Sequence, residues 1–306
     1  AFRLPAPPDL FDIVKASYKP PEAKSKSKMT TEEQVAYEEA LPITDAERAM
    51  GEKVLKNLSS HQARMFSQTP LDILLVLRSC CSKAEVASES AQVMQRIADW
   101  RDKVDFYNMF NGTLAGADVF HKCWPEYIYG QDYFGHIITA IRVSDIDSDA
   151  IAKIPDETIE RLQGQKMRGF SMFKEDLIRS SGKQRYKHTL IVDLSGGGMG
   201  LLSGTKRKKL QMIFGIGGTY FPETMWRIYL VNAPFVFRAA WSAVKPWLHP
   251  ITLTKIKIFK DNAEAVKKMT TEENISKNDL PQWMGGQHKG QTVGSYIKEV
   301  IRARRP

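Results

Sequence analysis

The sequence predicts an α/β sheet domain preceded by a small helical subdomain, and three observations lead there. Strand-like and helix-like runs alternate from residue 137 to residue 259, the pattern of strands wound with covering helices. Helix-start signals cluster upstream, between Thr44 and Glu85. The composition is also that of an ordinary globular chain: 306 residues, 42% hydrophobic and 26% charged, enough to bury a core for one or two domains.

Taken in order, residues 1–40 read as an extended leader. Pro5, Pro7, Pro8, Pro20 and Pro21 and the polar stretch Lys24 to Lys28 cannot bury enough apolar surface to offset the entropy of ordering. Residues 41–110 read as the helical subdomain. Thr44 and Glu47 have capping-box spacing, with Ile43 placed as a hydrophobic staple. Thr69 is set as an N-cap before Pro70 at the first helical position and Asp72 in the first turn. Ser82 and Glu85 open a third helix, which lines up Val86, Val93, Ile97, Trp100 and Val104 near a 3.6 period.

Residues 111–290 carry the sheet domain. Ile137 to Val143, Thr189 to Leu194, Arg227 to Val231 and Ile256 to Phe259 read as strands. Asp156 to Ser180, Lys206 to Ile216 and Phe235 to Leu248 read as helices. Residues 291–306, with Arg302, Arg304 and Arg305, read as a basic C-terminal tail.

Charge narrows the partners. Lys and Arg number 44 against 35 Asp and Glu, a formal net charge of +9, which favours acidic lipid headgroups, nucleic acid or acidic proteins. A basic balance and a first residue other than Met agree with an organellar, mitochondrial setting as well as a cytoplasmic one. Cys80, Cys81 and Cys123 are odd in number and two are adjacent, which fits a reducing compartment without a disulfide framework. No run reaches the roughly 18 apolar residues of a membrane span, so membrane contact is expected to be peripheral.

Catalytic and metal motifs are not found. His61, His121, His136, His188, His249 and His288 are scattered without ligand spacing, no G-x-S-x-G elbow occurs, and neither metal nor other cofactor is expected apart from a bound phospholipid. Gly196, Gly197, Gly198 and Gly200 follow a strand and invite a phosphate-loop reading. Ser203 stands where a dinucleotide fingerprint needs glycine, and Gly204-Thr205-Lys206 inverts the P-loop ending, so a flexible turn is the better account. Lys206, Arg207, Lys208 and Lys209 spread around a helix as a solvated face, or touch anionic lipid or a protein partner.

The run Thr219-Tyr220-Phe221-Pro222-Glu223, then Arg227 to Phe235 with its Asn232-Ala233-Pro234 turn, then Ala240-Trp241, Val244 to Leu248 and Pro250 to Ile256, resembles the signature of the CRAL-TRIO family. Ile191-Val192-Asp193-Leu194-Ser195-Gly196 upstream, and Leu280-Pro281 with Gly285-Gly286 downstream, resemble further marks of it, and the likeness spans roughly residues 69–287. The resemblance implies a mixed sheet flanked by helices around an apolar lipid pocket, closed by a gate helix carrying Phe235, Phe237, Trp241, Trp247 and Leu248. It implies headgroup contacts from Glu223, Thr252 and Lys255, whose bland alternative is a simple Glu223–Lys255 ion pair.

Two features depart from the family. Cys80 stands where a headgroup arginine belongs, Arg78 lying two residues earlier. His188, Leu190, Ile128 and Thr139 stand where the choline-binding serine, threonine and tyrosines belong. The expected function is to bind a single phosphate-bearing lipid, phosphatidylinositol first, as a carrier or sensor and not as an enzyme. The alternative is a structural subunit of a large membrane-associated assembly, contacting other subunits through residues 1–40 and the tail. Nucleic acid is not an expected partner.

Overall fold

The computed structural model describes residues 30–39, 45–66, 69–80, 86–183, 185–196, 203–234, 237–248 and 250–304. The helical part comprises α1 (Thr31–Glu38), α2 (Asp45–Leu55), α3 (Ser60–Phe66), α4 (Pro70–Ser79) and α5 (Val86–Lys103). Val54, Phe66, Val76, Met94 and Ile97 form its core. Ile97, Trp100 and Val104 are buried, as the helical period required. The starts expected at Thr44 and Ser82 lie outside the described residues. The start expected at Thr69 is correct, but its hydroxyl makes no cap. That oxygen instead accepts from Arg101 Nη1 at 3.1 Å. Arg101 is itself buried, with its guanidinium over the rings of Phe66 and Phe106.

The sheet domain runs α6 (Ala117–Cys123), β1 (Tyr127–Gln131), β2 (Ile137–Arg142), α7 (Ser148–Lys153), α8 (Asp156–Ser181), β3 (His188–Asp193), α9 (Gly204–Tyr220), β4 (Met225–Val231), α10 (Phe237–Val244), α11 (Pro250–Leu253), β5 (Ile256–Ile258) and α12 (Asn262–Thr271). It closes with β6 (Gln291–Thr292) and α13 (Val293–Ala303). The six strands are ordered β5-β4-β3-β2-β1-β6. β2 to β5 are mutually parallel, and β1 is antiparallel to both its neighbours. Strand residues alternate between faces. Ile141, Leu190, Ile228 and Leu230 face one side with Ile159, Leu162 and Ile213 of α8 and α9. Ile138, Ala140, Ile191, Tyr229 and Val231 face the other, where Ala265 and Met269 of α12 cover them. Gly182, at φ 68°, ends α8 in the left-handed conformation that glycine adopts without strain.

The ends of the chain differ from expectation. Within the stretch expected as an extended leader, Thr31–Glu38 is helical. It starts at a capping box in which Glu33 N donates to Thr30 Oγ1 at 3.2 Å and Thr30 N to Glu33 Oε2 at 2.8 Å. At the other end, residues 291–303 are not a tail. Val293, Tyr296, Ile297 and Ile301 repeat at helical spacing and are buried in the cluster of Phe110, Met167 and Phe170. Ile297→Ala is therefore expected to destabilise by about 2–5 kcal/mol in denaturant unfolding, the usual range for a buried isoleucine. A true tail residue would give a change near zero.

Candidate functional site

Between the α8/α9 face of the sheet and α10 lies a cavity of about 750 Å³, within the range of lipid and ligand sites. Its walls are largely apolar: Met167 and Phe170 from α8, Ile213 and Phe214 from α9, Leu190 and Ile228 from the sheet. Phe237 and Trp241 of α10 also border it, their rings 5.7 Å apart and inclined by 27°. Leu248 borders it too. Phe235 and the side chain of Trp247 lie outside the described residues. α10 is shorter than the helix expected from Phe235 to Leu248, because Pro246 cannot continue it and residues 245–247 tighten into a 3₁₀ turn.

Glu223, Thr252 and Lys255 all border this cavity. Glu223 sits in the α9–β4 turn at φ 57°. The Lys255 amide donates to the Thr252 carbonyl at 3.0 Å, so the three-residue spacing folds both into one turn. Lys255 Nζ donates to the Met225 carbonyl at 2.8 Å and lies 3.9 Å from the Glu223 carboxylate. The nearer cation is one that sequence reasoning missed. Lys187 Nζ lies 2.9 Å from Glu223 and 2.6 Å from Glu38 at the end of α1. Glu38, Lys187, Glu223 and Lys255 thus alternate in charge along one row.

The row continues into a buried network. Glu39 accepts from the Lys187 amide at 2.8 Å and pairs with His136 Nε2, while His136 Nδ1 meets Asp132 Oδ2 at 2.7 Å. Burial alone would push the Glu39 carboxyl up, but His136 and Lys187 outweigh it and hold Glu39 at about 2. Burial would likewise push His136 down, but Glu39 and Asp132 outweigh it and raise the imidazole to about 9. The Trp226 ring stacks on His136 at 4.6 Å. Val35 of α1 packs with Trp226 and Phe134 in the same place.

Of the four cations at the start of α9, Lys209 is turned inward. It is buried and held by the Ile154 carbonyl and Asp156, so it is not available to a membrane. Lys206 pairs with Asp149 at 2.8 Å, and Arg207 and Lys208 are exposed. Gly196 has φ 74°, and Gly197, Gly198 and Gly200 lie outside the described residues. Among the described residues no group of three or more His, Cys, Asp or Glu is placed to hold a metal, and no helix is long and apolar enough to cross a membrane.

Residues 121–286 match the family model of the CRAL/TRIO domain. This chain belongs to the CRAL/TRIO family. It is 27% identical over 220 residues to the phosphatidylinositol/phosphatidylcholine transfer protein SFH7 of Arabidopsis thaliana, covering 70% of this chain and 39% of that protein. It is 30% identical over 171 residues to SFH11 of the same plant, covering 54% and 43%. It is 25% identical over 240 residues to the SEC14 cytosolic factor of Eremothecium gossypii, covering 73% and 72%. The match thus spans about two fifths of the plant relatives' length. The crystal structure of Sfh5 shares the fold, with a TM-score of 0.50 at 15% identity over 72% of this chain and 78% of that one.

The CRAL/TRIO marks in the sequence have physical reasons here. Asn232 Nδ2 donates to Asp193 Oδ1 at 2.8 Å, so the turn after β4 is tied to the end of β3. Gly286 has no room for a side chain, since a Cβ there would come within 2.1 Å of the Leu280 carbonyl oxygen. The departures are visible as well. Cys80 borders the cavity, whereas Arg78 is turned to Glu47 and the Tyr186 hydroxyl, each at 3.2 Å. Arg96 of α5 is exposed and borders the cavity, a guanidinium from the helical subdomain that sequence reasoning did not select. His188 also lines the cavity, stacked on Phe170, and burial followed by the neighbouring Lys174 pushes its imidazole well below 6.5.

Proposed function

We propose that this CRAL/TRIO domain binds one phosphate-bearing lipid, phosphatidylinositol first, and carries or presents it at an intracellular membrane surface without catalysis. The observation that carries this reading is an apolar cavity of about 750 Å³ bordered by Lys255, Thr252 and Glu223. The acyl chains occupy the apolar part, under α10 acting as the gate. The phosphate takes charge-assisted hydrogen bonds from Lys255, with the Thr252 hydroxyl beside it and Arg96 in the place left by Cys80. The matched relatives are named as phosphatidylinositol/phosphatidylcholine transfer proteins, which supports a lipid of this class. Choline is not held, because His188 and Leu190 stand at the serine and threonine positions and Ile128 and Thr139, at the tyrosine positions, supply no aromatic face for a quaternary ammonium.

The alternative is a scaffold subunit, held in an assembly through its N-terminal segment. The docking of residues 30–39 onto their own domain supports the carrier instead. The test is transfer of labelled phosphatidylinositol and phosphatidylcholine between vesicles. Phosphatidylinositol transfer is expected to fall about tenfold in Lys255→Ala, the value of one charge-assisted hydrogen bond. Phosphatidylcholine transfer is expected near background. Unchanged phosphatidylinositol transfer in Lys255→Ala removes the headgroup assignment, and no transfer of either lipid removes the carrier reading.

A further inference from the structure

Away from Lys255 and Glu223, the wall of the cavity is not wholly apolar. Trp124, Glu126, Gln163 and Lys166 all border it. Trp124 is 1% exposed, Gln163 4%, Glu126 6% and Lys166 1%. Gln163 and Lys166 lie one turn apart on α8 and share a face. Trp124 and Glu126 flank the entry to β1. Lys166 Nζ meets Glu126 Oε2 at 2.6 Å and lies 5.7 Å from the Trp124 ring, so these three form one cluster, which Gln163 joins through its place one turn before Lys166 on the cavity side of α8.

Two atoms of the cluster have no hydrogen-bond partner among the described residues: the indole N–H of Trp124 and the side-chain oxygen of Gln163. One is an obligatory donor and the other an acceptor. Buried polar groups are nearly always paired, and leaving one unpaired is costly. We infer that this cluster is a second polar subsite that receives the hydroxyl group of a neutral lipid, accepting from Trp124 and donating to Gln163.

The chemistry of the cluster selects that ligand. Glu126 and Lys166 neutralise each other, so a phosphate placed here would have to displace the carboxylate from its ammonium. The Trp124 ring already has an ammonium 5.7 Å away and the Phe214 ring crossing it at 78° with centroids 6.0 Å apart, which disfavours a quaternary amine there. An ester or ketone satisfies the indole but leaves the amide oxygen bare. A hydroxyl alone supplies both the acceptor and the donor. This inference rests on the cavity being a lipid site, and it adds a ligand class that needs no contact with Lys255.

The experiment uses vesicles carrying radiolabelled dioleoylglycerol, or its 3-acetyl ester, which keeps the chains and caps the hydroxyl. The free alcohol is expected to be captured about tenfold better than the ester, the value of a satisfied buried pair. Gln163→Leu should erase that preference, and so should Trp124→Phe, which keeps a ring but removes the N–H. Equal capture of alcohol and ester, a preference that persists in a folded Gln163→Leu or Trp124→Phe, or no capture of either glyceride would overturn the inference. The first of these means that water alone satisfies the two atoms. Loss of phosphatidylinositol transfer in the unmodified protein would instead count against the carrier reading.

Discussion

Glu39→Ala is expected to cost about 3–5 kcal/mol in denaturant unfolding, the penalty for removing one partner of a buried ion pair. Glu39 is fully buried, and its carboxylate serves two groups at once: the His136 imidazole and the Lys187 amide. Truncation leaves that amide unpaired and leaves His136, stacked against Trp226, with Asp132 as its remaining carboxylate. Glu39→Gln preserves shape and the bond to the Lys187 amide, and should cost less, about 1–3 kcal/mol. Residues 30–39 should also become accessible to protease in the alanine variant. A loss below about 1 kcal/mol, the level of an exposed ion pair, would mean that this segment does not dock in solution.

The same pair gives stability a defined pH dependence. His136 is raised from 6.5 to about 9, so its contribution is complete below pH 6.5 and disappears as pH rises through 9. Glu39 is lowered from 4.5 to about 2, so its contribution is complete above pH 4.5 and disappears as pH falls through 2. Together they favour a plateau between 4.5 and 6.5. On the alkaline side the His136 contribution is lost, while Lys174, which burial lowers to about 8, gains stability over the same range, so the two oppose each other up to pH 10. Lys187, Lys174, Asp132 and Trp226 surround the pair; burial pushes Lys187 down, but Glu223 and Glu38 outweigh it and raise it, so it stays charged throughout. Urea unfolding at pH 6 and pH 10 measures the difference. Comparison with His136→Gln isolates the His136 part: the unmodified protein's advantage over this variant should shrink from pH 6 to pH 10, and an advantage that does not change with pH means that the assignment to His136 is wrong.

The sheet and its helices were legible because their signals are local. Thr189 to Leu194 is a short apolar run of a doubly covered strand, and the Asp156 helix carries its own period and a glycine stop. β1 escaped notice because Tyr127–Gln131 alternates poorly around Gly130, and its place is set by pairing on both sides. α13 was misread because three arginines near the chain end outweighed an apolar period that was present at Val293, Ile297 and Ile301. The capping box at Thr30 and Glu33 carries the same signature that was sought at Thr44, but surrounding prolines and lysines masked it.

At the site, Thr252 and Lys255 could be placed together from sequence because they are three residues apart and fold into one turn, and Glu223 belongs to a separate motif in the α9–β4 turn. Lys187 and Glu39 could not. Their partners lie 148 and 97 residues away, and nothing local marks Glu39 as buried. Gln163 is similar: an amide on a long amphipathic helix reads as surface until the helix is seen to face a cavity.

Lys187 belongs to two structures at once, the end of α1 and the row of charges at the cavity. A cation shared in this way is a thermodynamic link. Whatever changes the charge that Glu223 feels alters how strongly Lys187 holds Glu38, and the reverse coupling has the same size. An anion placed beside Lys255 would therefore be coupled to the docking of the N-terminal helix, and each could be measured through the other.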